Sequence, residues 1–248
     1  MNIFLKKIKL LDKFFPLILS LVAFSIFSFN IVNQGPNGDE RAYNAVGVKL
    51  FELASKGDFL NPCWNGQGEC KLVCLTECWQ ENYWSARSGG TVKSLIIGSG
   101  YYLLGEEGNN AYYWSTKSMY PSQQELVAGR LFSPFLGSMT VVISFFIGAL
   151  LFNRFVGFVF SVTLLFHSLW LWHSRTTMTE VFLGFFIMLS VFLLLYSLKN
   201  KYTIKMRYFI LSAIIFAIAI NTKLPAIELF LFFVVIIFFR NSASVRLL

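Results

Sequence analysis

LFSPFLGSMTVVISFFIGALLF, residues 131–152, carries no charged side chain over its whole length. A helix that crosses a bilayer needs about 20 predominantly apolar residues, and this run supplies them. Working outward, 156–172 and 181–198 have the same character, and 14–32 repeats it near the start of the chain. The apolar stretch 208–239 is too long for one span. Asn221-Thr222-Lys223-Leu224-Pro225 interrupts it, which divides it into 208–220 and 225–239 around a polar turn. The expectation is an all-α integral membrane protein with about six transmembrane helices. The composition agrees: of 248 residues, 56% are hydrophobic and 14% charged, against roughly 25% charged in soluble domains. With a mean hydropathy of +0.60, a soluble enzyme and a disordered chain are both excluded.

The formal charge of +8 invites a nucleic-acid reading until it is located. With the N-terminus cytoplasmic, the inner segments carry Lys6, Lys7, Lys9, Lys13, Arg154, Lys199, Lys201, Lys205, Arg207, Arg240 and Arg246 against a single acid, Asp12. The loop 33–130 holds eight basic and ten acidic residues. This is the positive-inside pattern of a multi-pass protein in the cell membrane, with no nucleic-acid partner. A cleaved signal peptide would also begin Lys-rich and then apolar. However, Phe29-Asn30-Ile31-Val32-Asn33-Gln34 offers no small-residue cleavage site, so a retained helix is expected. The chain then divides into the cytoplasmic N-terminus and first helix (1–32), an extracytoplasmic loop (33–130), and helices two to six (131–248).

Long connections of the length of 33–130 are usually functional. From Asp39, the residues Tyr43, Val46, Leu50, Leu53 and Ala54 recur at helical spacing, with Arg41, Asn44, Lys49, Glu52 and Lys56 opposite, and Gly57 ends the pattern. This predicts an amphipathic interfacial helix. Asp39 is its N-cap by position, and capping alone accounts for an aspartate there. The pair Asp39-Glu40 also lies where a lipid head group would sit. Cys63, Cys70, Cys74 and Cys78 all fall in this loop. Two disulfides of undetermined connectivity are the first reading, with a metal site or free thiols as alternatives. Residues 92–105 predict a second interfacial or re-entrant helix. Around it lie Trp79, Trp84, Tyr101, Tyr102, Tyr112, Tyr113, Trp114 and Tyr120, a composition that suits a bilayer interface and also sugar stacking.

Arg130 opens the second predicted span, His173, Ser174, Arg175 and Glu180 occupy the next outer turn, and Lys223 the last, with Glu228 one turn on. Ionisable groups near membrane depth are costly and tend to mark sites, although each of these can also snorkel to the interface. Together they suit a phosphate-bearing lipid. No P-loop, GxGxxG, GxSxG or HExxH motif is present, and His167 and His173 lack metal-ligand company.

The arrangement resembles the GT-C superfamily of membrane glycosyltransferases, specifically the family of protein O-mannosyltransferases and the lipid A aminoarabinose transferase. The resemblance rests on Gly38-Asp39-Glu40-Arg41-Ala42-Tyr43 through Lys56-Gly57-Asp58, on Val92-Lys93-Ser94-Leu95 through Leu104-Gly105 (without the two prolines of the family's segment), on Gly129-Arg130-Leu131, on Ser174-Arg175 with Glu180, and on Thr222-Lys223. It implies that this chain is the N-terminal part of such an enzyme, a GT-C-like fold that is incomplete. It also implies a polyprenyl-phosphate-linked sugar as donor and a protein, lipid or glycan as acceptor. On the same resemblance Asp39 is the general base and Glu40 positions the acceptor or a nearby cation. Lys93 and Arg130 hold the lipid phosphate, with Arg175 and Lys223 as further candidates, and Tyr43 and Glu180 position acceptor or sugar. No cofactor is implied, and a divalent cation near Asp39 and Glu40 is left open. The alternative is a non-catalytic membrane protein that binds or transports the polyprenyl-phosphate lipid.

Overall fold

The computed structural model describes residues 2–35, 38–65, 90–106, 122–200, 203–228 and 230–235. Among these residues all regular structure is helical: α1 (Asn2–Ser28), α2 (Gly38–Ser55), α3 (Thr91–Leu104), α4 (Gln123–Arg130), α5 (Ser133–Leu151), α6 (Arg154–Leu165), α7 (Ser168–His173), α8 (Thr179–Leu198) and α9 (Met206–Thr222). Short 3-10 turns cover Pro62–Asn65 and Leu224–Glu228.

The all-helical expectation holds, while the count of six spans is not reproduced. Among the described residues two helical stretches are long and apolar enough to cross a membrane, Gln123–Leu151 and Thr179–Leu198. Phe14–Ser28, Arg154–Leu165, Met206–Thr222 and Pro225–Val235 are apolar but shorter. The run 156–172 is not one continuous helix: it breaks at His167, whose backbone is extended and whose Nδ1 accepts the Trp170 N–H at 3.4 Å. A side chain that takes a helix-opening N–H starts a new helix instead of continuing the old one. Arg130 closes α4 instead of opening the following span. Leu131 and Phe132 form a turn before α5, where Pro134 sits in the first helical turn and loses no hydrogen bond.

α5 is the central packing element. On one side Val141 and Phe145 meet Leu19, Ala23 and Phe27 of α1 together with Leu165 of α6. On the other, Ile143 and Ile147 meet Val191, Leu194, Leu195 and Leu198 of α8 and Phe216 of α9. α8 and α9 are further joined by reciprocal hydrogen bonds: Ser190 Oγ donates to the Ser212 carbonyl at 2.9 Å, and Ser212 Oγ donates to the Ser190 carbonyl at 2.8 Å. In an apolar medium, where hydrocarbon burial does not drive helices together, such pairs and close packing do that work. The outward faces of α1 and α6 expose Leu17, Leu21, Phe155 and Phe158, a surface matched to acyl chains.

α2 does not lie alone. It crosses α3 so closely that a Cβ at Gly98 would run into the Gly47 carbonyl and the Phe51 side chain. Both helices end as their glycines predict. Gly57 has φ +71, and the N–H groups of Gly57 and Asp58 return to the carbonyls of Ala54 and Leu53. Gly105 (φ 69) does the same with Tyr102 and Tyr101. These are Schellman closures, which need a left-handed residue after the helix. α8 and α9 are antiparallel, because Lys223 after α9 reaches Glu180 at the start of α8. At 1.5 Å per residue, α8 therefore separates this polar end from Lys199 and Lys205 by about 30 Å.

Candidate functional site

The N-terminus of α2, the N-terminal turn of α3, the end of α4 and the approach to α8 come together at that polar end. Glu40, in the first turn of α2, is fully buried and bonded to the equally buried Arg130. Arg130 Nε donates to Glu40 Oε1 at 2.8 Å and Nη2 donates to Oε2 at 2.7 Å, a two-pronged pair. Nη1 donates to the carbonyls of Ile31 (2.7 Å) and Gln34 (2.8 Å), and Nη2 also donates to that of Gly35 (3.2 Å). A guanidinium has five N–H groups, and all five are taken. Arg130, expected to hold the lipid phosphate, therefore has no donor left for one. It instead ties the chain leaving α1 to the start of α2. The cost of burying this ion pair is met because every donor is satisfied.

Thr177 also bonds the carboxylate, with its N–H at 2.6 Å and its hydroxyl at 3.2 Å from Glu40 Oε1. One helical turn along α2, the Tyr43 ring lies beneath Lys93, whose Nζ is 2.9 Å from the ring centroid. The same ammonium donates to Thr179 Oγ1 at 2.9 Å. Lys93 is fully buried. Glu40 and Tyr43 thus bring α2 against Arg130 and Lys93 respectively, and two threonines before and at the start of α8 serve both. Asp39 is the second residue of α2, next to Glu40. Its side chain lies outside the described residues.

Beside this cluster, Lys223 Nζ donates to Glu180 Oε1 at 2.8 Å, and both side chains are about one-third exposed (35% and 36%). Lys223 takes Glu180 as partner, not the neighbouring Glu228. His173 Nδ1 stands 3.9 Å from Glu180 Oε2. Burial holds the imidazole below its ordinary range, outweighing the carboxylate that pulls the other way. Arg175 Nη2 donates to the Ile26 carbonyl at 2.8 Å, tying the turn to the end of α1. Among the described residues no group of three His, Cys, Asp or Glu gathers to hold a metal ion. Cys70, Cys74 and Cys78 lie outside the described residues, as does the side chain of Cys63. A cavity of about 400 Å³, lined by Val32, Leu104, Glu106, Gln123, Gln124 and Val127, lies toward the opposite end of α3 from Lys93.

The structure therefore brings Glu40, Tyr43, Lys93 and Arg130 together, with Arg175, Glu180 and Lys223 on adjoining turns at the same end. Sequence reasoning missed Thr177 and Thr179. The polar run Thr176-Thr177-Met178-Thr179 just before an apolar helix is a helix-start signal, but nothing in it points to partners as far away as Glu40 and Lys93.

The family model of dolichyl-phosphate-mannose-protein mannosyltransferases matches residues 78–243, more than half of the chain, and the chain belongs to that family. No curated protein and no solved structure matches it. This is a GT-C family of membrane-integral enzymes that use lipid-linked sugar donors. The matched region contains Lys93, Arg130, Thr177, Thr179, Arg175, Glu180 and Lys223. Asp39, Glu40 and Tyr43 precede it and are linked to it by the bonds from Glu40 to Arg130 and Thr177 and by the Tyr43–Lys93 contact.

Proposed function

We propose that this chain transfers a sugar, mannose on the family's description, from a polyprenyl-phosphate donor to an acceptor hydroxyl at the extracytoplasmic face of the cell membrane. The observation that carries this reading is the pairing of two buried clusters, Glu40–Arg130–Thr177 and Lys93–Tyr43–Thr179, around the helix start that bears Asp39. Asp39 takes the proton of the attacking hydroxyl. The hydroxyl oxygen bonds to the anomeric carbon as the bond from that carbon to the phosphate oxygen breaks, and the electron pair leaves with the polyprenyl phosphate. Lys93 stabilises the charge that gathers on the leaving phosphate. A single displacement of this kind inverts the anomeric carbon. Glu40, fixed by Arg130, sets the bearing of the first turn of α2 and hence of Asp39. Arg175 and Lys223 are secondary phosphate ligands, and Tyr43 and Glu180 border the sugar and acceptor.

Orientation follows from charge. The eleven basic residues of the inner segments lie on the cytoplasmic side, which directs the helix starts carrying Asp39 and Thr179 outward in a multi-pass arrangement. The acceptor is a protein or a glycan. The test is Asp39→Asn, read by transfer from a polyprenyl-phosphate mannose donor to a hydroxyl acceptor. A fall of about 100-fold or more is expected for loss of a general base. Unchanged transfer refutes that role. Donor binding without transfer by the parent chain would favour a non-catalytic lipid-binding protein.

A further inference from the structure

We infer that Thr179 is a positioning residue for the phosphate-binding cation: its hydroxyl oxygen fixes the Lys93 ammonium over the Tyr43 ring. The inference rests on the reading of Lys93 as the phosphate ligand. A lysine ammonium is a compact charge on a flexible stem of four carbons, with three donors that rotate freely. Among its contacts are a ring from α2 at 2.9 Å and a hydroxyl from α8 at 2.9 Å, which hold the ammonium from two different helices.

Threonine suits this task. Its branched Cβ restricts χ1, so the direction of the hydroxyl oxygen is set by the backbone. Within a helix a threonine hydroxyl often turns back to the carbonyl one turn earlier. Thr179 is the first residue of α8, where no preceding helical turn competes for it. Two residues earlier, Thr177 holds Glu40 through both its N–H and its hydroxyl. The same short stretch thereby fixes the carboxylate beside Asp39 and the cation that faces the phosphate, and the distance between the two is set by backbone instead of by flexible side chains. The Thr179 side chain is buried, which keeps water from replacing it as the acceptor.

The experiment measures binding of a short-chain polyprenyl phosphate to the full chain in detergent, with the melting temperature of each variant recorded alongside. Thr179→Val, which keeps the shape and removes the hydroxyl, is expected to weaken binding about tenfold, as loss of a hydrogen bond to a charged group does. Thr179→Ser is expected to bind within about twofold of the parent by the same argument, since it restores the oxygen. Thr179→Ala serves as a second hydroxyl-free variant and should weaken binding like Val. Lys93→Met should lose more than either. If Thr179→Val and Thr179→Ala bind like the parent while Lys93→Met does not, the positioning role is overturned and the reading of Lys93 stands. If Ser fails to restore what Val loses, the hydroxyl is not the agent and the inference falls. If Lys93→Met itself binds like the parent, the phosphate reading fails and takes this inference with it.

Discussion

Replacing Arg130 by methionine tests whether the buried pair is the keystone of the polar end. The substitution leaves the Glu40 carboxylate buried with its two bonds from Thr177, and it strips the carbonyls of Ile31, Gln34 and Gly35 of their common donor. Breaking a buried ion pair from one side costs about 3–5 kcal/mol. At roughly 2–4 °C per kcal/mol for a chain of this size, the detergent-solubilised variant should melt about 10 °C below the parent. Glu40→Gln strands the guanidinium charge instead and should cost a similar amount. The double variant removes both charges at once, so its loss should fall short of the summed single losses by about 2–3 kcal/mol, since replacing a whole buried pair is far less costly than breaking it. The assay is thermal unfolding followed by tryptophan fluorescence and circular dichroism for the parent, both singles and the double. Losses that add to within about 0.5 kcal/mol would refute the reasoning, because residues that share no interaction behave that way.

Lys56→Met removes an exposed partner of Glu52 at 2.6 Å and should cost no more than about 0.5 kcal/mol in the same assay, a surface reference for the buried pair. Gly98→Ala places a methyl group against the Gly47 carbonyl and Phe51, so α2 and α3 must separate; a loss of about 1–3 kcal/mol is expected from thermal unfolding, and parent-like melting would contradict the close crossing. Ser190→Ala should lower stability by about 1 kcal/mol, and the further change Ser212→Ala should cost less in that background than in the parent, since the two hydroxyls answer one another across α8 and α9. The folded pKa of His173 lies below 6.5 because of burial, so the unfolded chain binds protons first as the pH drops. Stability should therefore fall as the pH is lowered from 6.5, and melting temperatures of His173→Gln should show a shallower fall over the same range.

Much of the helical layout was legible because it depends on local signals. The charge-free run 131–152 gave α5, the run 181–198 gave most of α8, and Gly57 and Gly105 marked the ends of α2 and α3 through the left-handed conformation that only glycine adopts cheaply. The break at His167 was not legible, since it turns on one imidazole taking a backbone N–H inside an apolar run. In the candidate site, Arg130 stood out as an ionisable residue beside an apolar segment and Glu40 as half of a carboxylate pair, while Lys93 was singled out by the family resemblance. Their partners did not stand out. Arg130 reads as a spare cation in sequence because the carbonyls that occupy it belong to residues 31–35 and carry no side-chain signature. Thr177 and Thr179 were hidden for a related reason, since their task is set by helices that begin far away in the chain. What the sequence conveyed was which side chains are costly to bury, and what it withheld was which backbone atoms compensate them.

The three carbonyl contacts of Arg130 have a consequence for how the chain can change. Arg130 grips the main chain of Ile31, Gln34 and Gly35 and touches none of their side chains through these bonds, so it is indifferent to what those residues are. Substitutions there leave the grip in place, whereas adding or deleting one residue between α1 and α2 would move every carbonyl out of reach together. The segment is constrained in its number of residues and not in its letters, and a library varying 31–35 should accept many compositions and almost no change of length.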